Sequence, residues 1–103
     1  MKIEYSRQAI DDLSRIEDYY AERTTHELAQ SLIEQIKKTL ERLIARHSRI
    51  GRLRSEFGPQ VRSFPVVPHV VFYKLARQDV YVLRILHGHR DIKPPLMSLL
   101  LAS

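Results

Sequence analysis

The sequence predicts one α+β domain with the order β-α-α-β-β-β, in which a helical hairpin packs on a small, mainly antiparallel sheet and a short C-terminal tail or helix follows. Apolar residues recur at helical spacing in two segments of the N-terminal half. Runs rich in β-branched and aromatic residues follow in the C-terminal half. With 103 residues, the chain has room for one core, so we expect residues 1–103 to form a single domain.

The first elements are a short strand and a helix. Residues 2–5 alternate polar and apolar side chains, and Ser6 can cap the helix that follows. One face of this helix is predicted to be apolar and to comprise Ala9, Ile10, Leu13, Ile16 and Tyr20. The other face is predicted to be solvated and to comprise Asp11, Asp12, Arg15 and Asp18.

A second helix is predicted after a break at residues 22–25. Thr24 and Glu27 have the spacing of a capping box. The apolar stripe of this helix covers more than four turns and comprises Leu28, Leu32, Ile33, Ile36, Leu40, Leu43 and Ile44. Because the two helices are so close in sequence, they should pair as an antiparallel hairpin with the sheet as their second packing surface.

The C-terminal half is predicted to contain a basic loop and three strands. The loop, residues 48–59, is punctuated by Gly51, Gly58 and Pro59. Pro65 and Pro68 indicate that the first strand of the following hairpin lies at an edge or is bulged. Residues 80–86 form the most continuous apolar run and should be a central strand.

Composition narrows the function classes. The chain has no cysteine and no leader-like apolar segment near Met1, so we expect a cytoplasmic protein without disulfides. Residues 1–45 carry nine acids and seven bases, net −2, whereas residues 46–103 carry three acids and ten bases, net +7. A cationic C-terminal half indicates an anionic partner, such as nucleic acid, an acidic protein or a nucleic-acid enzyme.

No catalytic motif is evident. None of the serines lies in a Gly-x-Ser-x-Gly turn, and no phosphate-binding glycine loop is present. His87 and His89, with His69 or Asp91, have the residue types of a metal site, but a third ligand at motif spacing is lacking. We therefore predict no metal and no cofactor.

Three segments resemble the ParE branch of the RelE/ParE toxins: Arg62 to Val66, His69 to Tyr73 and Val82 to Asp91. The order of elements upstream fits the same family. The resemblance implies a RelE/ParE-like fold and a toxin of a type II toxin–antitoxin pair that causes growth arrest. It also implies that the toxin stabilises the cleaved-DNA complex of DNA gyrase, is not an enzyme, and is neutralised by a ParD-like antitoxin encoded nearby.

The same resemblance raises a ribosome-dependent mRNA interferase as an alternative. The two lysine positions of the RelE pattern fall on Val61 and Ser63, the strand-opening arginine on Val70 and the tyrosine on Leu96; only Arg90 matches. Val and Leu can neither bind phosphate nor transfer protons, so this constellation is broken. A rearranged site that uses Arg62, Arg84, His87 and Arg90 stays open, as does an inactive module that only binds antitoxin.

Two sets of partner-binding residues are predicted. The target-binding set lies at the cationic end of the sheet and comprises His87, His89, Arg90, Arg62 and Arg84. The antitoxin-binding set consists of apolar and aromatic residues in excess of what the core needs and comprises Tyr19, Tyr20, Leu96, Leu99 and Leu100.

Overall fold

The computed structural model describes residues 2–44 and 46–88. In chain order the elements are β1 (Ile3–Tyr5), α1 (Arg7–Arg23), α2 (His26–Thr39), a π-helical segment (Leu40–Ile44), β2 (Arg52–Leu53), a 3-10 turn (Ser55–Phe57), β3 (Val61–Val66), β4 (His69–Ala76) and β5 (Asp79–His87). The predicted tail after Pro95 lies outside the described residues.

The strands form one mixed sheet in the order β1-β5-β4-β3-β2, on which the two helices pack. β1 is parallel to β5, and the other three pairs are antiparallel, which confirms the predicted fold class. β5 pairs on both sides, as a central strand should. The short strand β2 was not predicted, and because it pairs with Arg62 and Ser63, β3 is an edge strand only beyond these two residues. Pro65 pairs with Val70 of β4 and has no strand partner on its other side, where a residue without an N–H is tolerated.

Hydroxyl side chains cap both helices. The Ser6 Oγ accepts a hydrogen bond of 3.0 Å from the Ala9 N–H, as predicted. The predicted capping box at Thr24 is wrong by one residue, because the N-cap of α2 is Thr25, whose Oγ1 accepts from the Leu28 N–H at 3.1 Å. Thr24 instead ends α1 by donating its hydroxyl to the Tyr20 carbonyl at 2.7 Å.

The sheet buries side chains on both faces. The main core lies between the helices and one face of the sheet and comprises Ala9, Leu13, Ile16, Ile33, Ile36, Leu40, Ile44, Val71, Tyr73, Val80, Val82 and Ile85. The opposite, outer face carries a smaller cluster of Phe57, Val61, Phe72 and Leu86, with Val70 and Leu83 packed against it. Two residues predicted on the buried stripes are on the surface instead: Ile10 is 53% exposed and Leu28 is 60% exposed.

Asp12 was predicted on the solvated face of α1, and this prediction is wrong. It is 4% exposed and forms a bidentate ion pair with Arg84, with Nε–Oδ2 and Nη2–Oδ1 distances of 2.8 and 3.0 Å. Its Oδ2 also accepts the Ile85 N–H at 2.9 Å. Three hydrogen bonds and an opposite charge compensate the burial of this carboxylate.

The same contact completes the hydrogen bonding of β5 where β1 ends. β1 pairs with Val80 to Val82, and the chain then turns into α1. Beyond that point the Ser6 hydroxyl donates to the Leu83 carbonyl at 2.8 Å, and Asp12 accepts from Ile85. Side chains of the helix start therefore replace a strand backbone over the C-terminal part of β5.

Neither helix in the described part of the chain has the length and apolarity that a membrane span requires.

Candidate functional site

The predicted target-binding residues occupy separate parts of the molecule. His87 ends β5, Arg62 lies on β3 near the opposite end of the sheet, and Arg84 is inside the fold. His89 and Arg90 lie outside the described residues, as do the predicted antitoxin-binding residues Leu96, Leu99 and Leu100. The structure therefore does not bring the set together as one site within its described part.

Tyr19, Tyr20, His69 and His87 form a continuous row of rings, which we call the histidine end. The ring centroids of successive members are 5.1, 6.4 and 6.1 Å apart, and each pair meets edge to face. His69 is 4% exposed, whereas Tyr19 is 37% exposed and carries the Arg23 guanidinium 3.6 Å above its ring centroid. Residues predicted for the antitoxin and a residue predicted for the target thus share one surface.

Arg84 does not fit the expectation of a surface contact. Its side chain is 11% exposed, and both ends of its guanidinium fork are engaged by Asp12. A register shift between β4 and β5 accompanies this placement, because Tyr73 pairs with Val82 while Phe72 pairs with Arg84. We assign Arg84 to the fold and omit it from the partner surface.

Arg62 holds the basic loop in place. Its Nη1 donates to the Gly51 carbonyl at 2.8 Å and to the Arg49 carbonyl at 3.3 Å. The loop backbone is also held by Tyr73, whose hydroxyl donates to the Ser48 carbonyl and accepts from the Gly51 N–H, each at 2.8 Å.

We call residues 46–54 the arginine loop. A Cβ on Gly51 would lie 2.5 Å from the Tyr73 Oη and 2.9 Å from the Ser63 carbonyl oxygen, so this close approach requires glycine. Arg46, Arg49 and Arg52 are exposed, and the loop contains no acid. The loop therefore combines an ordered backbone with solvent-exposed cations.

A cavity of about 400 Å³ separates the arginine loop from the turn between β4 and β5. Ser48, Arg49, Leu75, Arg77, Gln78 and Asp79 line it. Arg77 has a φ of 59°, in the left-handed region that costs a side-chain-bearing residue about 1–2 kcal/mol. The cavity thus receives cations from two segments far apart in sequence.

The positions aligned with RelE cations carry different chemistry. Val61 is buried in the outer-face cluster, and Val70 packs against the same cluster. Ser63 is 7% exposed and accepts a hydrogen bond of 3.2 Å from Arg54. The Arg54 guanidinium lies 4.8 Å from the Phe57 ring centroid and is ion-paired with Glu56 at 3.3 Å. The aligned positions are therefore apolar apart from Ser63, and Arg54, the arginine that contacts Ser63, is already engaged.

The helices leave a groove beside β1. A cavity of about 340 Å³ is lined by Tyr5, Ile10, Leu13, Ser14, Glu17, Ile33 and Lys37. Its wall includes the exposed Ile10 side chain. The Tyr5 hydroxyl is buried and has no hydrogen-bond partner among the described residues. The groove is therefore apolar with charged margins, the form that accepts an amphipathic helix.

Three tyrosines have a pKa above the usual value for a phenol and stay protonated near neutral pH. Burial, assisted by the Glu41 charge, raises the pKa of Tyr5 to about 12. Burial also raises the pKa of Tyr73, against the opposing effects of the Gly51 N–H and the Arg62 charge. A hydrogen bond to Glu4 is the main cause that raises the pKa of Tyr81. None of these three shifts favours a phenolate that could act as a base.

Metal-ligand types do not cluster in residues 2–44 and 46–88, where no group of three or more His, Cys, Asp or Glu side chains is close enough to hold an ion. His69 and His87, two of the residues considered for a metal, contact each other through their rings. Their partners in that hypothesis, His89 and Asp91, lie outside the described part.

Sequence reasoning missed three residues that shape these surfaces. Asp12 lies at helical spacing from Ala9 and Ile16, and this spacing was a signal that it shares their buried face. Gly51 was treated only as loop punctuation, although its contact with Tyr73 joins positions 22 residues apart. Arg77 had no local signal, because positive φ at a non-glycine residue cannot be inferred from composition.

A family model, a relative and a solved structure are similar to this chain in sequence or in fold. A family model described as the ParE toxin of the type II toxin–antitoxin system parDE matches residues 3–92. Toxin ParE3 of Caulobacter vibrioides is 34% identical over 91 residues, which cover 88% of this chain and 90% of that protein. A structure described as the chromosomal ParDE TA system from P. aeruginosa has the same fold, with a TM-score of 0.71 and 22% identity over 84% of this chain and 95% of that chain.

Proposed function

The chain belongs to the ParE toxin family of type II toxin–antitoxin systems, and from that premise we propose that it inhibits DNA gyrase by stabilising the cleaved-DNA complex. In this proposal it acts in the cytoplasm, performs no chemistry itself, and is neutralised by a ParD-like antitoxin.

The proposal that the toxin is not an enzyme rests on the side chains of the outer sheet face. A ribonuclease that uses no metal needs cations to bind phosphate and a group that transfers protons. Val61, Val70 and Phe72 supply neither, and Arg54 is engaged by Ser63 and Glu56. This supports a toxin that works by binding.

The antitoxin is proposed to lie along the helical hairpin. An amphipathic helix buries apolar side chains in a groove and leaves its charges at the margin. The groove beside Ile10 offers such a site, with Glu17 and Lys37 at its edge. Tyr19 and Tyr20 extend this surface to the histidine end, and we retain them as antitoxin contacts together with Leu96, Leu99 and Leu100.

The target surface is proposed to include the histidine end and the residues that follow it. His87 lies at the exit of β5, and His89 and Arg90 come directly after it in the chain. An antitoxin that contacts Tyr19 and Tyr20 would also lie next to His87, because the rings form one row. Neutralisation would then be direct occlusion of the target surface.

Three experiments test this proposal. Expressed alone in a bacterium, the protein should arrest growth, and co-expression of the adjacent antitoxin should restore it. Purified protein should inhibit supercoiling by gyrase and increase cleaved DNA, whereas primer extension on a translated message should show no codon-specific cuts. Growth at confirmed expression of folded protein would indicate an inactive antitoxin-binding module. Cuts that vanish on Arg90→Ala would indicate the interferase.

The location of the target surface is tested with His89→Ala combined with Arg90→Ala. We expect weaker gyrase inhibition with an unchanged thermal melt and unchanged antitoxin pull-down. Full inhibition by the folded double variant would place the target surface elsewhere on the molecule.

A further inference from the structure

We infer that the arginine loop, together with Arg77, binds the phosphate backbone of double-stranded DNA. The inference deepens the proposed function and rests on it, because it names the part of the gyrase–DNA complex that this end of the toxin contacts. It starts from the distribution of charge. Residues 46–54 contain four arginines and no acid, whereas residues 1–45 are net negative. DNA is therefore attracted to this end and repelled from the helical faces.

The arginines divide into engaged and available ones. Arg84 is paired with Asp12, Arg54 with Glu56, and Arg62 with loop carbonyls. Arg46, Arg49 and Arg52 are exposed, and no side-chain hydrogen bond or ion pair is found for them within the described residues. Their guanidinium forks are available for phosphate oxygens, which they match in a bidentate geometry.

The loop backbone is ordered before any ligand arrives. Tyr73 and Arg62 together contribute four hydrogen bonds to Ser48, Arg49 and Gly51. A flexible loop would lose conformational entropy when it bound a regular array of phosphates, and an ordered one loses less. We call these four hydrogen bonds the clamp. The clamp fixes the backbone positions from which the arginine side chains extend.

Arg77 adds a second segment to the same surface. It shares the cavity of about 400 Å³ with Arg49 and Ser48, and its left-handed φ is a conformation that glycine would adopt without cost. Asp79 also lines this cavity, and its Oδ1 accepts the Lys2 N–H at 3.3 Å. Positive φ is a normal feature of a two-residue turn such as the one between Ala76 and Asp79, and this turn places Arg77 on the cavity that Arg49 also lines.

The competing partner is an acidic protein segment, such as part of an antitoxin. Ile50 and Leu53 are 46% and 50% exposed and would suit it. DNA is favoured because the proposed target contains it and because the available charged side chains are all arginines, the residue that best fits phosphate. The groove at Ile10 already offers the apolar surface that an antitoxin helix needs.

The test is binding of the full-length protein to a duplex oligonucleotide of mixed sequence, measured by fluorescence anisotropy from about 50 to about 200 mM salt. Arg49→Gln with Arg52→Gln should weaken binding roughly tenfold or more at low salt. It should also make the negative slope of log K against log salt shallower by about 2, since each phosphate contact contributes about 0.9 to its magnitude. Arg7→Gln with Arg15→Gln, two exposed helical arginines, removes the same charge and should change affinity less than about twofold.

Arg77→Gly separates binding from folding. It should make the salt slope shallower by about 1, because one phosphate contact is lost. The melting temperature should be unchanged or raised, because glycine adopts the left-handed φ without strain. Tyr73→Phe keeps every charge but removes the two hydrogen bonds of the Tyr73 hydroxyl to Ser48 and Gly51. It should weaken binding several-fold with an unchanged salt slope in the fraction that a thermal melt shows to be folded.

Equal losses in the Arg49/Arg52 and Arg7/Arg15 pairs would overturn the inference in favour of diffuse charge attraction. Retained DNA binding with lost antitoxin pull-down in the Arg49/Arg52 pair would overturn it in favour of the acidic protein. DNA binding by Tyr73→Phe equal to wild type would refute the role of the clamp. Because the assay contains no gyrase, its failure leaves the gyrase proposal standing, and a failed gyrase assay leaves the DNA contact measurable.

Discussion

The histidine end and the arginine loop both contain basic side chains, but they are built in opposite ways. At the histidine end, the side chains contact one another and His69 is buried in the row. In the arginine loop, the backbone is held by Tyr73 and Arg62 while the Arg46, Arg49 and Arg52 side chains extend into solvent.

This difference separates two ways in which a small domain can prepare a surface. Rings that pack on one another contribute to stability and give a partner a fixed shape. Cations on an ordered loop contribute little to stability but attract and orient an anionic partner. Substitutions at the histidine end should therefore affect folding and binding together, whereas arginine substitutions in the loop should affect binding alone.

The largest expected effect is at Asp12, which lies between the two ends and joins α1 to β5. Asp12→Ala should lower the free energy of unfolding by about 3–5 kcal/mol, because it leaves the Arg84 charge buried without its partner. Urea unfolding measures this. Asp11→Ala is the matched control, since Asp11 has the same charge and is exposed. Equal losses in the two variants would show that the ion pair does not hold the helix to the strand.

A second effect is expected at Gly51. Gly51→Ala should cost about 1–3 kcal/mol, because the new Cβ would collide with the Tyr73 hydroxyl and the Ser63 carbonyl. Thermal melting reports the cost. Gly88→Ala is the control, because a Cβ there would meet its nearest neighbour at 3.5 Å, an ordinary contact. If Gly51→Ala were tolerated like the control, the loop would not need its close approach to Tyr73.

A third comparison sets one histidine against another. His69→Ala should cost about 1–3 kcal/mol, since it removes a buried ring between Tyr20 and His87. His47→Ala, in the exposed arginine loop, should stay within about 0.5 kcal/mol of wild type. Both values come from urea unfolding at neutral pH. A cost at His47 as large as that at His69 would remove the distinction between the two ends.

The smallest effect is expected at Tyr5 and depends on pH. The pKa of Tyr5 is raised from 10.0 to about 12 by burial and by the Glu41 charge, so the folded state favours the protonated phenol. Its contribution to stability is therefore fully present below pH 10 and is lost as pH rises to about 12. After allowance for solvent screening, this loss is about 1 kcal/mol.

Tyr5→Phe removes that alkaline loss. It should be neutral or stabilising by up to about 1 kcal/mol at pH 7, because the Tyr5 hydroxyl is buried without a partner in the described part of the chain. Urea unfolding at pH 7 and near pH 11 tests both signs. If Tyr5→Phe were destabilised at pH 7, the hydroxyl would have a partner such as a bound water.

Much of the fold could be predicted because it depends on local patterns. The Ser6 cap, the two amphipathic helices and the strands of β4 and β5 follow from spacing and composition, and the structure confirms them. The helix boundary was displaced by one residue because Thr24 and Thr25 are adjacent and both can cap. Local pattern identifies an element more reliably than it identifies its end.

The surfaces were harder to predict because they depend on contacts that are distant in sequence. Arg84 was expected to meet a partner, but it meets Asp12, 72 residues away. Arg62 was expected to bind a target, which stays a prediction, and its Nη1 was not expected to hold the backbone of the arginine loop. In both cases composition predicted a cation correctly and gave no information on which oxygen it would meet.

The hydrogen bonds by which Ser6 and Asp12 complete β5 have a consequence for protein synthesis. Their partners are Leu83, Arg84 and Ile85, so these contacts join residues 72 to 77 positions apart. During translation, the Asp12 carboxylate of α1 has no partner until β5 has left the ribosome. A nascent chain that stops before Leu83 therefore lacks the closing contacts of its own N-terminus. The fold can therefore close only after β5 has been synthesised. Products of this gene that end before β5 is complete should be degraded by proteases as unfolded chains.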